Sequence, residues 1–158
     1  MQSSKKHLEK PIFVYNRKNI VAVEWRGEDL QFDPYSAGRK IFFNSDVYLK
    51  IDHEPKDDWH FLQTAREIEF WETLREDKQY FAQILDYGRT PCGKYWLLQK
   101  SYTPDTPHIC TSENFQILGD LIWKYSLRDV WADDRDGSGN WMLSGGEVII
   151  YDWAGYKA

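Results

Sequence analysis

The chain has 158 residues and carries 20 Lys+Arg against 25 Asp+Glu, a formal charge of −5. That length fits one compact domain, able to bury an adequate core without disulfides or a structural metal. With 42% apolar and 28% charged residues the composition is globular, and its mild acidity excludes a non-specific nucleic-acid binder, which needs clustered Lys/Arg.

Two β-branched and aromatic runs open the chain, Pro11–Tyr15 and Ile20–Trp25, with the polar residues 16–19 between them. They predict two strands and a turn. Residues 27–38 contain Gly27, Pro34 and Gly38 and predict a loop. Lys40–Phe43 and Val47–Ile51, joined by Asn44-Ser-Asp46, predict a hairpin. Residues 59–76 lack Gly and Pro and place Phe61, Ala65, Ile68, Trp71 and Leu74 at helical spacing, so they predict a long helix. Tyr80–Tyr87 and Tyr95–Gln99 follow as a strand pair around the turn residues Gly88, Pro91 and Gly93. Ser101–Cys110, with Pro104 and Pro107, predicts a crossing loop. A second helix is expected from Ser112 as N-cap to about Arg128, with Phe115, Leu118, Ile122 and Tyr125 on one face. The acidic segment 131–140 leads to a last hairpin, Trp141–Leu143 and Glu147–Asp152, turning at Ser144-Gly-Gly146. This order implies an α+β fold with an antiparallel sheet.

Other classes lack their signals. Cys92 and Cys110 have neither metal-ligand spacing nor the density of a disulfide scaffold. His7, His53, His60 and His108 share no ligand spacing. No signal-peptide h-region follows the first residues, and no apolar run approaches the ~20 residues of a membrane helix. The expected class is a soluble cytoplasmic protein that binds neither nucleic acid nor membrane. Eight Trp within 16% aromatics indicate a core built from large rings.

Three features carry chemistry. Lys50 stands inside the apolar strand Val47–Ile51, where it either faces outward or points into a cleft to grip phosphate oxygens. Glu67 lies between Phe70 and Trp71 around the helix, at about 100° per residue, whereas Glu69 shares a solvated face with Thr73 and Glu76. A carboxylate on an apolar stripe is costly to bury without a cationic partner, and Lys50 is the natural candidate. Asn140 and Asp152 bracket the terminal hairpin, whose geometry brings its two ends together. An amide oxygen beside a carboxylate is a hard-oxygen pair suited to Mg²⁺.

In this order the four residues resemble the protein-kinase-like fold, including aminoglycoside and other small-molecule kinases. Val47–Ile51 resembles the strand bearing the phosphate-anchoring lysine, and Arg66-Glu67-Ile68 the helix supplying its glutamate. Asn140-Trp-Met-Leu resembles the catalytic-loop asparagine, and Asp152-Trp-Ala-Gly the metal-binding Asp-Phe-Gly signature. The resemblance implies one kinase-like domain over residues 1–158. It comprises an N-lobe-like part at 11–102, with an antiparallel sheet and one long helix, and a reduced C-lobe-like part at 111–158. It further implies ATP and Mg²⁺ as cofactors, with Lys50 and Glu67 on the nucleotide and Asn140 and Asp152 on the metal. The family's base precedes the asparagine by five positions, and that position is Arg135; Asp134 or Asp136 is the candidate base. An alignment through Leu127-Arg-Asp129 would place Asp134 where the asparagine belongs. The glycine-rich phosphate loop has no clear counterpart, and the chain ends before an activation segment.

Two readings of the acidic loop compete with the base. Asp134, Asp136, Ser138 and Gly139 match the start of an EF-hand loop, but position twelve is Gly145 and a hairpin follows. Paired carboxylates of a hydrolase are the other. The alternative for the whole chain is a degenerate kinase fold that binds or inhibits a host macromolecule.

Overall fold

The computed structural model describes residues 10–36, 39–52, 62–130 and 139–153. The chain divides into two units. One takes the chain up to Ala65 together with Ile84–Ser101, and the other takes Arg66–Gln83 together with the chain from Tyr102 onward.

In the first unit, β1 (Ile12–Asn16) pairs antiparallel with β2 (Asn19–Trp25), which also pairs with the short β3 (Glu28–Asp29). Trp25 faces Glu28 across a two-residue turn in which Arg26 and Gly27 both have positive φ. Such a turn matches the right-handed twist of a strand pair. Gly27 therefore makes a hairpin where the sequence reads as a loop, and β4 (Gln31–Asp33) forms before Pro34. After it come β5 (Arg39–Phe43) and β6 (Val47–Asp52), with β7 (Ile84–Arg89) and β8 (Tyr95–Lys100) later in the chain. These make an antiparallel sheet of order β4-β5-β6-β8-β7, with β6 at its centre. Val47, Leu49 and Ile51 alternate onto one face and pack with Phe42, Trp96, Leu98, Val23 and Trp25.

The helix α1 runs Gln63–Thr73, shorter than the pattern predicts; residues 59–61 lie outside the described residues. At its end the Leu74 amide and the Thr73 hydroxyl both donate to the Phe70 carbonyl, at 3.0 and 2.9 Å.

The second unit holds a 3₁₀ turn at Lys78–Tyr80, α2 (Ser112–Tyr125), and the hairpin β9 (Trp141–Ser144) and β10 (Glu147–Ile150). The strand expected from Tyr80 thus begins only at Ile84. Phe81 makes an isolated parallel bridge to Ile150, and Ala82 N–H donates to the Ile150 carbonyl at 2.7 Å. The N-cap of α2 is Thr111, one residue before the expected Ser112: its hydroxyl accepts from Asn114 N–H. The helix stops at Tyr125 because Ser126 takes the left-handed conformation that closes helix C-termini. In the terminal hairpin, Gly145 and Gly146 both have positive φ, and their amides donate to the Asp105 carboxylate at 2.8 and 2.7 Å.

Lys124 at the end of α2 is paired with Glu76 and Asp77, and the Tyr125 hydroxyl donates to Asp77 at 2.6 Å. The Tyr125 bond, and after it the Lys124 bond, hold the Asp77 carboxyl below its ordinary value. A depressed carboxyl contributes stability above its unfolded pKa of ~3.9 and loses it as pH falls below that. Asp77→Asn is therefore expected to lower the melting midpoint at pH 7 by roughly 1–4 °C. The gap from the parent should close between about pH 4 and pH 2 in a series of thermal melts.

Candidate functional site

Lys50 occupies the middle of the central strand, opposite Ile41 on β5 and Leu97 on β8. It is only 4% exposed, which removes the reading of an edge or outward lysine. Pleating turns it away from the Val47, Leu49, Ile51 face. The face it shares also carries Arg39, Asp52 and Gln99, all buried. Arg39 stands directly opposite Asp52 in the register.

Asp52 and Arg39 converge on the start of α1. The Asp52 carboxylate accepts from the Thr64 amide at 2.8 Å, and Arg39 donates to the Thr64 hydroxyl at 3.4 Å. Thr64 N–H is one of the first-turn amides that a helix cannot satisfy internally, and a carboxylate there also complements the helix dipole. The sequence signal was available: Lys50 and Asp52 are two apart on one strand and so share a face. The partner role of Arg39 depends on strand register, which the sequence pattern leaves open.

Glu67 belongs to the second unit and is fully buried, whereas Glu69 is exposed. The Glu67 carboxylate accepts from the Trp153 backbone amide at 2.8 Å. In return the Trp153 indole N–H donates to the Glu67 carbonyl at 3.2 Å. Trp153 is itself fully buried among Phe70, Phe81 and Trp71, with ring centroids at 6.2, 5.4 and 6.4 Å. Tyr125 adds edge contacts to Phe70 and Phe81. An indole at this position gives what phenylalanine cannot, a donor that reaches the helix backbone. From sequence, Trp153 stands only at the phenylalanine position of the Asp-Phe-Gly resemblance, and this tie goes unseen.

The terminal hairpin closes one residue pair beyond its strands. Trp141 faces Ile150, and Tyr151 N–H then donates to the Asn140 carbonyl at 3.0 Å. Asn140 and Asp152 thus flank the same end of the hairpin. Asn140 sits at φ 63°, and its side-chain amide donates to the Asp129 carbonyl at 2.8 Å. That bond turns the side-chain nitrogen toward Asp129. Asp152, half-buried, is held by its neighbour Trp153. This donor set suits Mg²⁺, which takes one or two protein oxygens and completes its shell with phosphates and water. Among the described residues no group of three or more His, Cys, Asp or Glu could hold a metal by itself. Asp134 and Asp136 lie outside the described residues. No described helix is long and apolar enough to cross a membrane.

No protein-family model and no curated protein sequence matches this chain. Among solved structures it is similar to WbdD, determined with the kinase inhibitor LY294002, at 13% identity and a TM-score of 0.52. The match covers 82% of this chain and 34% of that one, so the chain spans about a third of the length of WbdD. At this identity the likeness concerns the fold alone: a mixed α+β architecture with antiparallel sheets and, among the described residues, two α-helices.

Proposed function

We propose that this chain binds Mg-ATP and transfers the γ-phosphoryl group to a hydroxyl acceptor. The observation that supports this most is the tie between Glu67 and Trp153, which anchors the residue next to Asp152 to α1 while the hairpin brings Asn140 to the same end. Lys50, buried in the central strand, grips the α- and β-phosphate oxygens, and Glu67 is its ion-pair partner. Asn140 and Asp152 hold the magnesium ion, which neutralises charge on the phosphates. Asp134 or Asp136 orients the acceptor hydroxyl and takes its proton as the new P–O bond forms and the bond to the β-phosphate oxygen breaks. Catalysis of this kind is positioning and electrostatic stabilisation, so a rigid Asp152 matters more than chemical reactivity.

Thermal melting with Mg-ATP tests the reading. At ~100 times the dissociation constant the nucleotide should stabilise the fold by about 2.7 kcal/mol, a midpoint rise of roughly 5–10 °C. Chelating the magnesium should remove most of it. The kinase inhibitor bound to WbdD is a second probe, expected to compete with Mg-ATP. No shift at millimolar Mg-ATP, with the protein folded, overturns nucleotide binding and leaves the alternative, a binding or inhibitor protein for a host macromolecule.

A further inference from the structure

Residues 126–130 leave the end of α2 on a fixed path. Ser126 closes the helix in the left-handed conformation, and the Leu127 amide donates to the Ile122 carbonyl at 3.1 Å. Leu127 and Val130 are both buried, whereas Asp129 between them is exposed. Buried neighbours thus place the Asp129 backbone, and its side chain stays in solvent.

That backbone meets the candidate cation site. The Asp129 carbonyl accepts from the Asn140 side chain at 2.8 Å, from 11 residues away in sequence. Asn140 itself sits at φ 63°, a conformation that asparagine tolerates better than most residues. Such a conformation persists where its surroundings fix it, and the bond to Asp129 does so from outside the hairpin. The same bond limits where the Asp129 carboxylate can be. A carboxylate oxygen is at most ~5 Å from its own residue's carbonyl oxygen, so it lies within ~8 Å of the Asn140 amide nitrogen in any rotamer.

That range has a chemical meaning. Magnesium takes its ligands at ~2.1 Å and keeps several waters besides the one or two oxygens a protein supplies. Those waters are polarised by the ion and donate strongly, with a carboxylate acceptor ~2.7 Å further out. An acceptor of such a water stands ~4.8 Å from the ion, close enough to matter without being a ligand. Asn140 and Asp152 offer the ion a single negative charge, and a carboxylate beside Asn140 adds a second. Among the described residues no three His, Cys, Asp or Glu come together as direct ligands, which suits a carboxylate that acts through water. Building on the Mg-ATP reading, we propose that Asp129 is a positioning residue of this site: its carbonyl fixes Asn140, and its carboxylate holds a water of the magnesium shell. Proton transfer stays with Asp134 or Asp136.

Calorimetric titration of the full chain tests this with two probes, ATP in excess magnesium and ATP in excess EDTA. Asp129→Asn keeps the main-chain carbonyl, and with it the tie to Asn140, so any loss reports the carboxylate alone. It should weaken Mg-ATP by about tenfold, the lower end of the effect of groups that support metal ligands, and leave metal-free ATP within about twofold of the parent. Asp129→Glu should recover most of the loss, because a longer carboxylate still reaches a water. A role in folding alone would weaken both probes equally, and that result overturns the proposal. So does Mg-ATP affinity unchanged in Asp129→Asn while Asp152→Asn loses it, which leaves the magnesium site standing without Asp129. Complete loss of the metal dependence in Asp129→Asn, with no recovery in Asp129→Glu, makes Asp129 a direct ligand and overturns the role through water. A parent that binds ATP equally with and without magnesium removes the metal site itself, and Asp129's part in it.

Discussion

Trp153→Ala should destabilise the protein by about 3–5 kcal/mol, the range for emptying a fully buried large aromatic site. For a chain of this size that is a fall in melting midpoint of roughly 10 °C or more. The reason lies in what the ring touches. Trp153 fills the space between Phe70, Phe81 and Trp71, and its amide and indole N–H are both bonded to Glu67. Removing the ring leaves a cavity within the second unit and breaks one of the two bonds that hold the segment carrying Asp152; the backbone amide bond to the Glu67 carboxylate remains. Trp153→Phe separates the two contributions, because it keeps most of the apolar volume and loses only the indole donor. Its expected loss is about 0.5–1.5 kcal/mol in the hydrogen bond plus the smaller ring volume. Glu67→Leu should exceed the Trp153→Phe loss, since the buried Trp153 amide loses its acceptor at a cost of about 1–3 kcal/mol and the proposed pairing with Lys50 is lost as well. Urea titrations of the three variants check the order. A Trp153→Ala loss below about 1 kcal/mol would mean that the aromatic cluster is not the core of this unit.

Where local pattern decides structure, the sequence was readable. The alternation of Val47, Leu49 and Ile51 fixes a strand, and the face of Lys50 follows from it. The 3.6-residue periodicity of α1 separates Glu67 from Glu69 without reference to anything else in the chain. The Gly145-Gly146 turn fixes the register that sets Asn140 opposite Tyr151. What stayed hidden depends on contacts between distant segments. Nothing local says that Asp105 closes the Gly145-Gly146 turn from 40 residues away, or that Asp52 caps α1 across 12 residues. Gly27 reads as a loop breaker, yet with Arg26 it builds a tight hairpin, because a glycine admits positive φ in a turn and in a loop alike. Trp153 shows the same limit at the candidate site. Its indole reads as a deviation from a phenylalanine until the helix carbonyl it bonds is known.

Asp152→Asn should abolish Mg-ATP stabilisation and any phosphoryl transfer together. The amide has the shape of the carboxylate and keeps one oxygen, but it lacks the charge that a magnesium ion requires of its few protein ligands. The Trp153 amide bonds to Glu67, so that anchor does not depend on the Asp152 charge. Loss of the ligand-induced shift, measured against the variant's own basal midpoint, is the expected signature. Asp134→Asn and Asp136→Asn should behave differently. A base acts on the acceptor and does not hold the nucleotide, so both variants should keep most of the Mg-ATP shift. One of them should lower transfer by about 10²–10⁴-fold, with the other nearly silent, since a single spacing from Asn140 can bring a carboxylate to the acceptor oxygen. The readout is label from γ-labelled ATP, followed onto the protein itself and onto components of a cell lysate. If both variants transfer label like the parent, neither aspartate is the base. If Asp152→Asn retains the full Mg-ATP shift, the hairpin end is not the magnesium site, whatever else the chain binds.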